Sequence, residues 1–181
     1  IVARAGVARP VTVEPASGDV APRAWELNTF TRGPITVHGF IRDFRNCEDT
    51  DPVAIRLGQK AHVYDMRACK YLGLTERVAA TLAPGETALC ALLPYRVTGL
   101  AINAPERVQA GQEFAAHVAL LGAARPGDHV IHVELLDPRG RRVECYARNE
   151  LLAAGKGTLR VPVAMNDAPG KWTLQVRDVL T

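Results

Sequence analysis

The chain has 181 residues, of which 48% are hydrophobic and 23% charged, the balance of an ordinary globular protein rather than a disordered one. Its net charge of +3 is too small, and its 22 Lys and Arg residues too scattered, to give the basic face that nucleic acid demands. No run approaches the roughly 18 apolar residues that span a bilayer, so membrane insertion is not expected.

Short apolar-alternating runs, each closed by turn residues, follow one another along the whole chain. Val11–Glu14 reads as a first strand, ended by Pro15-Ala16-Ser17-Gly18-Asp19. Trp25–Phe30 is a second, and Thr31-Arg32-Gly33-Pro34 turns it into Ile35–Phe44. In that third run Ile35, Val37, Gly39 and Ile41 take one face while Thr36, His38, Phe40 and Arg42 take the other, as expected of a long central strand. Asn46–Pro52 is an acidic loop. Val53–Leu57 alternates; after Gly58 come His62–Met66, then Val78–Leu82 and, beyond the turn Ala83-Pro84-Gly85-Glu86, Thr87–Leu93.

Pro94–Gly99, bracketed by Pro and Gly, reads as a join after which a new alternating pattern begins. It is short and contains apolar residues, so Tyr95 and Val97 are expected to pack rather than to sit in a free linker. Beyond it, Phe114–Leu121, His129–Leu136, Arg141–Ala147, Thr158–Ala164 and Lys171–Val179 repeat the pattern. In the last run Trp172, Leu174 and Val176 share one face and Lys171, Thr173, Gln175 and Arg177 the other, which assigns Trp172 to the core. The expected fold class is all-β, with two tandem antiparallel β-sandwich domains at residues 1–96 and 97–181.

Two resemblances fit this division. "RLGQKAHVYDMRACKYLG" (Arg56–Gly73) and "TLAPGETALCALLPY" (Thr81–Tyr95), with "WELNTFTRGPITVHGFIRD" (Trp25–Asp43) upstream, resemble the β-sandwich accessory regions that follow the catalytic barrel in large bacterial glycoside hydrolases of the β-galactosidase kind. One departure is Cys69, where that hairpin commonly carries Gly. "VELLDPRGRRV" (Val133–Val143) and "APGKWTLQVRDVLT" (Ala168–Thr181) are similar to immunoglobulin- or macroglobulin-type sandwiches, found in many extracellular and cell-envelope proteins. Together they imply an architecture, partner domains on the same larger polypeptide, and a secreted or periplasmic setting, but no activity. The start at Ile1 rather than Met agrees with a mature or excised piece.

Candidate sites are few. A glycosidase needs two carboxyl groups about 5–9.5 Å apart in a cleft, and Glu26, Asp43, Glu48, Asp49, Asp51 and Asp65 stand in no context that suggests such a pair. Ser17, the only serine, sits in a Gly-rich turn without a nucleophile elbow, so no catalytic residue is assigned. Asn46, Glu48, Asp49 and Asp51 offer the oxygen ligands calcium prefers, without the glycine and spacing of an EF-hand; no other cofactor is expected. His129 and His132, three apart on a strand, point to opposite faces, which is wrong for shared zinc ligation. Trp25, Tyr64, Tyr71 and Tyr95 make a carbohydrate platform only if they project outward. Cys90 falls inside a strand and reads as a small buried thiol, whereas Cys47 and Cys69 sit in loops of one half, and whether they pair is left open. Arg139, Arg141 and Arg142 crowd a hairpin turn, which reads as a solvated tip. The expectation is a non-catalytic accessory segment of a larger bacterial carbohydrate-active enzyme, serving domain packing, spacing or oligomer contact, with a carbohydrate-binding module and a cell-surface adhesion or assembly domain as alternatives.

Overall fold

The computed structural model describes residues 11–16, 25–43 and 52–181. It is all-β and antiparallel, with twelve strands and one 3-10 turn at Glu144–Tyr146 among those residues. The chain divides into two compact units, Ile1–Pro94 and Tyr95–Leu180, each with its own core. No helix among the described residues is long and apolar enough to cross a membrane.

The first unit holds β1 (Thr12–Pro15), β2 (Trp25–Arg32), β3 (Ile35–Arg42), β4 (Val53–Asp65), β5 (Lys70–Ala80) and β6 (Thr87–Leu93). All six join one sheet, in the order β1-β4-β6-β3-β2 with β5 also on β4. All six also place residues in or against one core, so this single sheet must curl around it. β4 shows how. The sequence pattern breaks at Gly58, yet the strand runs through as 13 residues, with the ladder to β5 interrupted between Arg56 and Ala61 and Gly58 at φ 73. A bulge of this kind bends a strand without ending it. The first half of β4 then pairs β1 and its second half pairs β6.

On β3 the core face is the one that carries Phe40, 1% exposed, flanked by His38 and Arg42. The polar neighbours are accommodated individually. The Arg42 guanidinium lies 5.3 Å from the Trp25 ring centre, a cation–π contact. His38 Nδ1 is 2.9 Å from Thr29 Oγ1, and burial holds the imidazole below the ordinary histidine range.

Cys90 is buried in this core, and burial, followed by the nearby charge of Asp65, pushes its thiol up to about 11 from an unfolded value of 9.0. The folded chain therefore resists ionisation that the unfolded chain accepts. Its contribution is complete below pH 9 and is lost as pH rises through 11. Wild type should lose about 2 kcal/mol more than Cys90→Ala between pH 8 and pH 11 in urea titrations. Parallel losses in the two proteins would contradict it.

The tip of the β4–β5 hairpin explains the Cys69 departure. Asp65 Oδ1 accepts the amides of Arg67 (2.9 Å) and Ala68 (3.0 Å), and the turn then needs a left-handed residue, which is Cys69 at φ 48. The turn geometry is the one glycine favours, held here by a side chain that pays about 1 kcal/mol or more for it. Cys69→Gly should raise the thermal stability of the first unit by roughly 0.5–1 kcal/mol, and a fall in melting temperature would refute this.

The second unit contains β7 (Gly99–Asn103), β8 (Glu113–Leu121), β9 (His129–Leu136), β10 (Arg148–Leu152), β11 (Lys156–Pro162) and β12 (Thr173–Asp178). Two three-stranded sheets, β10-β9-β12 and β11-β8-β7, face each other across one core. Ala116, Val118, Leu159 and Val161 enter from one sheet and Ile131, Val133, Leu135 and Leu152 from the other. Burying a side chain of this size contributes about 1.5–3 kcal/mol, so this interleaving is the unit's main source of stability. Trp172, Leu174 and Val176 pack against the same core, as their alternation requires. The expected strand Arg141–Ala147 is instead an isolated bridge at Arg142 and the 3-10 turn, and the strand lies one step later, at β10.

Candidate functional site

The most enclosed polar cluster among the described residues is a hydrogen-bonded chain in the second unit. His129, fully buried, begins β9, and Asp178, 4% exposed, ends β12. Nδ1 of His129 is 3.0 Å from Asp178 Oδ1, and Nε2 is 3.0 Å from the Tyr95 hydroxyl. That hydroxyl in turn accepts the Gly127 amide at 2.7 Å. One direction satisfies every group: Gly127 N–H donates to Tyr95 Oη, Tyr95 O–H to Nε2, and Nδ1–H to the carboxylate. Burial raises the Tyr95 phenol above its ordinary value, partly offset by the Gly127 amide. A nucleophile needs the opposite shift, and the imidazole that would serve it has no exposed surface. The arrangement ties residue 95, at the start of the unit, to the ends of two core strands.

A cleft of about 400 Å³ lies at one end of the same sandwich, lined among others by Glu106, Val108, Phe114, Lys171, Trp172 and Leu174. Trp172 is fixed within it, since Nε1 donates to the Ala168 carbonyl at 2.9 Å and its ring meets Tyr146 edge-on at 6.1 Å. The Tyr146 hydroxyl donates to Asp167 and accepts the Ala164 amide, and burial, then that carboxylate, pushes the phenol up. The cleft wall is thus a hydrogen-bonded loop, with Trp172 held to it through its only polar atom.

The sequence candidates fall in separate places. Tyr64 and Tyr71 come together, ring centres 5.0 Å apart, with His62 Nδ1 2.8 Å from the Tyr71 hydroxyl. Tyr64 is only 3% exposed. Trp25 packs against the core cluster that includes Val63, and Tyr64 is next along the strand from Val63, so the tyrosines take the opposite face of the sheet from the indole. Tyr95 belongs to the second unit and to the chain just described. Asn46, Glu48, Asp49 and Asp51, the calcium candidates, lie outside the described residues, as does Cys47 of the open cysteine pairing.

His129 and His132 do take opposite faces. His132 faces outward, with Nδ1 2.7 Å from Asn149 Oδ1 and Nε2 3.1 Å from Glu134 Oε1. Among the described residues no group of three His, Cys, Asp or Glu is placed to hold a metal ion. The arginine-rich turn is built on Asp137, whose Oδ1 accepts the amides of Arg139 and Arg141 and whose Oδ2 accepts two donors from the Arg141 guanidinium. These bonds hold the carboxyl below its usual range. Arg142 pairs with Glu134 and Glu144 at 3.0 Å each. Sequence reasoning missed the His129–Asp178 pair because its members are 49 positions apart. The one available signal was a histidine on the inward parity of a strand.

No family model matches the chain, and no curated protein is similar to it. Among solved structures it is similar to the Arthrobacter globiformis T6 isomalto-dextranase complexed with panose, at 14% identity and a TM-score of 0.29, over 80% of this chain. The chain spans 30% of that protein's length, and at that score the likeness carries no argument.

Proposed function

We propose that this chain is a non-catalytic accessory segment of a larger bacterial carbohydrate-active enzyme, acting outside the cytoplasm in domain packing or spacing. Its second unit is read as an immunoglobulin-like sandwich, and its partners are the other domains of that polypeptide. One observation carries the reading. All five imidazoles are held by neighbouring side chains: His38 by Thr29, His62 by Tyr71, His117 by Thr158, His129 by Tyr95 and Asp178, and His132 by Asn149 and Glu134. The groups best suited to proton transfer or ligation thus connect strand to strand. The resemblance of Arg56–Gly73 and Thr81–Tyr95 to glycoside hydrolase accessory regions supplies the parent class.

Isothermal titration with galactosides, glucans and acidic polysaccharides tests this reading. The expected result is no saturable heat at sub-millimolar affinity. Saturable binding in that range, abolished by Tyr71→Ala or Trp172→Ala, would replace the scaffold with a carbohydrate-binding module.

A further inference from the structure

Among the described residues β2 ends its sheet and pairs only with β3. Seven of its eight residues are exposed, with Phe30 at 65% and Leu27 at 40%. Natural edge strands are usually guarded by proline, lysine, a bulge or shortness. β2 contains neither proline nor lysine, and it keeps unbroken register with β3 from Trp25 to Arg32. Among the described residues it is an apolar-dotted edge without a bulge, and its two charges, Glu26 and Arg32, stand near its ends.

We propose that β2 is a self-association edge, pairing antiparallel with β2 of a second copy about a two-fold axis at Thr29. The sequence of the strand argues for this occupant. A two-fold axis normal to a sheet pairs residues of equal parity, so groups that point to the open edge in one copy meet their counterparts in the other. With the axis at Thr29, Asn28 stands opposite Phe30, Leu27 opposite Thr31, and Glu26 opposite Arg32. Each pair occurs twice. The two carboxylate–guanidinium pairs close the ends of the ladder, and the two Phe30 rings become diagonal neighbours on one face. Moving the axis to Asn28 sets Glu26 against Phe30 and forfeits both charge pairs. This inference is independent of the accessory reading, since it requires only the strand and its exposed edge. A seven-residue ladder buries little area, which puts the association among weak, concentration-dependent ones.

Sedimentation equilibrium of the 181-residue chain, from on the order of 10 μM to 1 mM, tests the proposal. Wild type should show a monomer–dimer equilibrium. Glu26→Arg and Arg32→Glu should each weaken it at least about tenfold by opposing like charges twice, with unchanged melting temperature. An equal mixture of the two variants restores both pairs and should form a heterodimer. A wild type monomeric at the highest concentration, a dimer indifferent to both reversals, or a mixture that stays monomeric would overturn the proposal.

Discussion

His129→Phe should destabilise the second unit by about 3 kcal/mol, because it removes the Nδ1–H that the buried Asp178 carboxylate accepts and the acceptor of the Tyr95 hydroxyl. The ring volume is roughly kept, so the loss reports hydrogen bonding more than a cavity. Asp178→Asn should cost less, since it removes the charge and keeps an acceptor for Nδ1–H. The double variant should lose clearly less than the sum of the singles, as expected of partners in one network. Trp172 belongs to the second unit and Trp25 to the first, so fluorescence-detected urea unfolding in a Trp25→Phe background isolates the relevant transition. A loss under about 1 kcal/mol for His129→Phe would mean that the chain of bonds is not maintained in solution.

Gly122→Ala should cost about 3 kcal/mol for two separable reasons. Gly122 adopts φ 96, and a Cβ there would lie 2.5 Å from the Arg96 carbonyl oxygen and 3.0 Å from the Thr98 amide nitrogen. Both atoms are backbone, so no side chain can swing aside. The Thr98 amide donates to the Leu121 carbonyl at 3.0 Å, which fixes the segment that the new methyl would displace. Gly140→Ala provides the control, with φ 74 but open space around the added carbon. It should cost only about 1 kcal/mol, the conformational part. Equal losses at the two sites would show that residues 96–98 do not lie against Gly122.

Much of the architecture was legible because period-two alternation survives wherever a strand has one wet face. Trp172, Leu174 and Val176 are the clearest instance, and the antiparallel all-β class followed from repeating that pattern. The pattern failed where the chain departs from it physically. Gly58 reads as a terminator, but in β4 it forms a bulge that keeps the strand going. β10 was missed because Arg148, Asn149 and Glu150 resemble a loop, although Arg148 pairs with Glu150 at 2.6 Å. On β3 the core face carries a histidine and an arginine beside Phe40, and the Trp25 ring and Thr29 hydroxyl help to make that choice tolerable. The aromatic candidates were correct as residue types able to stack, but exposure is a tertiary property. Tyr64 and Tyr71 are cross-strand partners across the β4–β5 ladder, whereas Trp25 answers to a different face. Nothing in the spacing of Tyr95, His129 and Asp178 indicates that they meet.

The central claim is that the chemistry-bearing side chains of this chain are permanent parts of its framework, and the state of one imidazole tests it most directly. A two-bond proton–nitrogen correlation spectrum of the histidine rings at neutral pH reads each tautomer. The account predicts His129 as a single Nδ1–H tautomer, that proton donated to Asp178 and protected from exchange, with a separately observable Tyr95 hydroxyl proton coupled to its bare Nε2. An averaged, rapidly exchanging His129 ring, or one protonated on Nε2 alone, would contradict it.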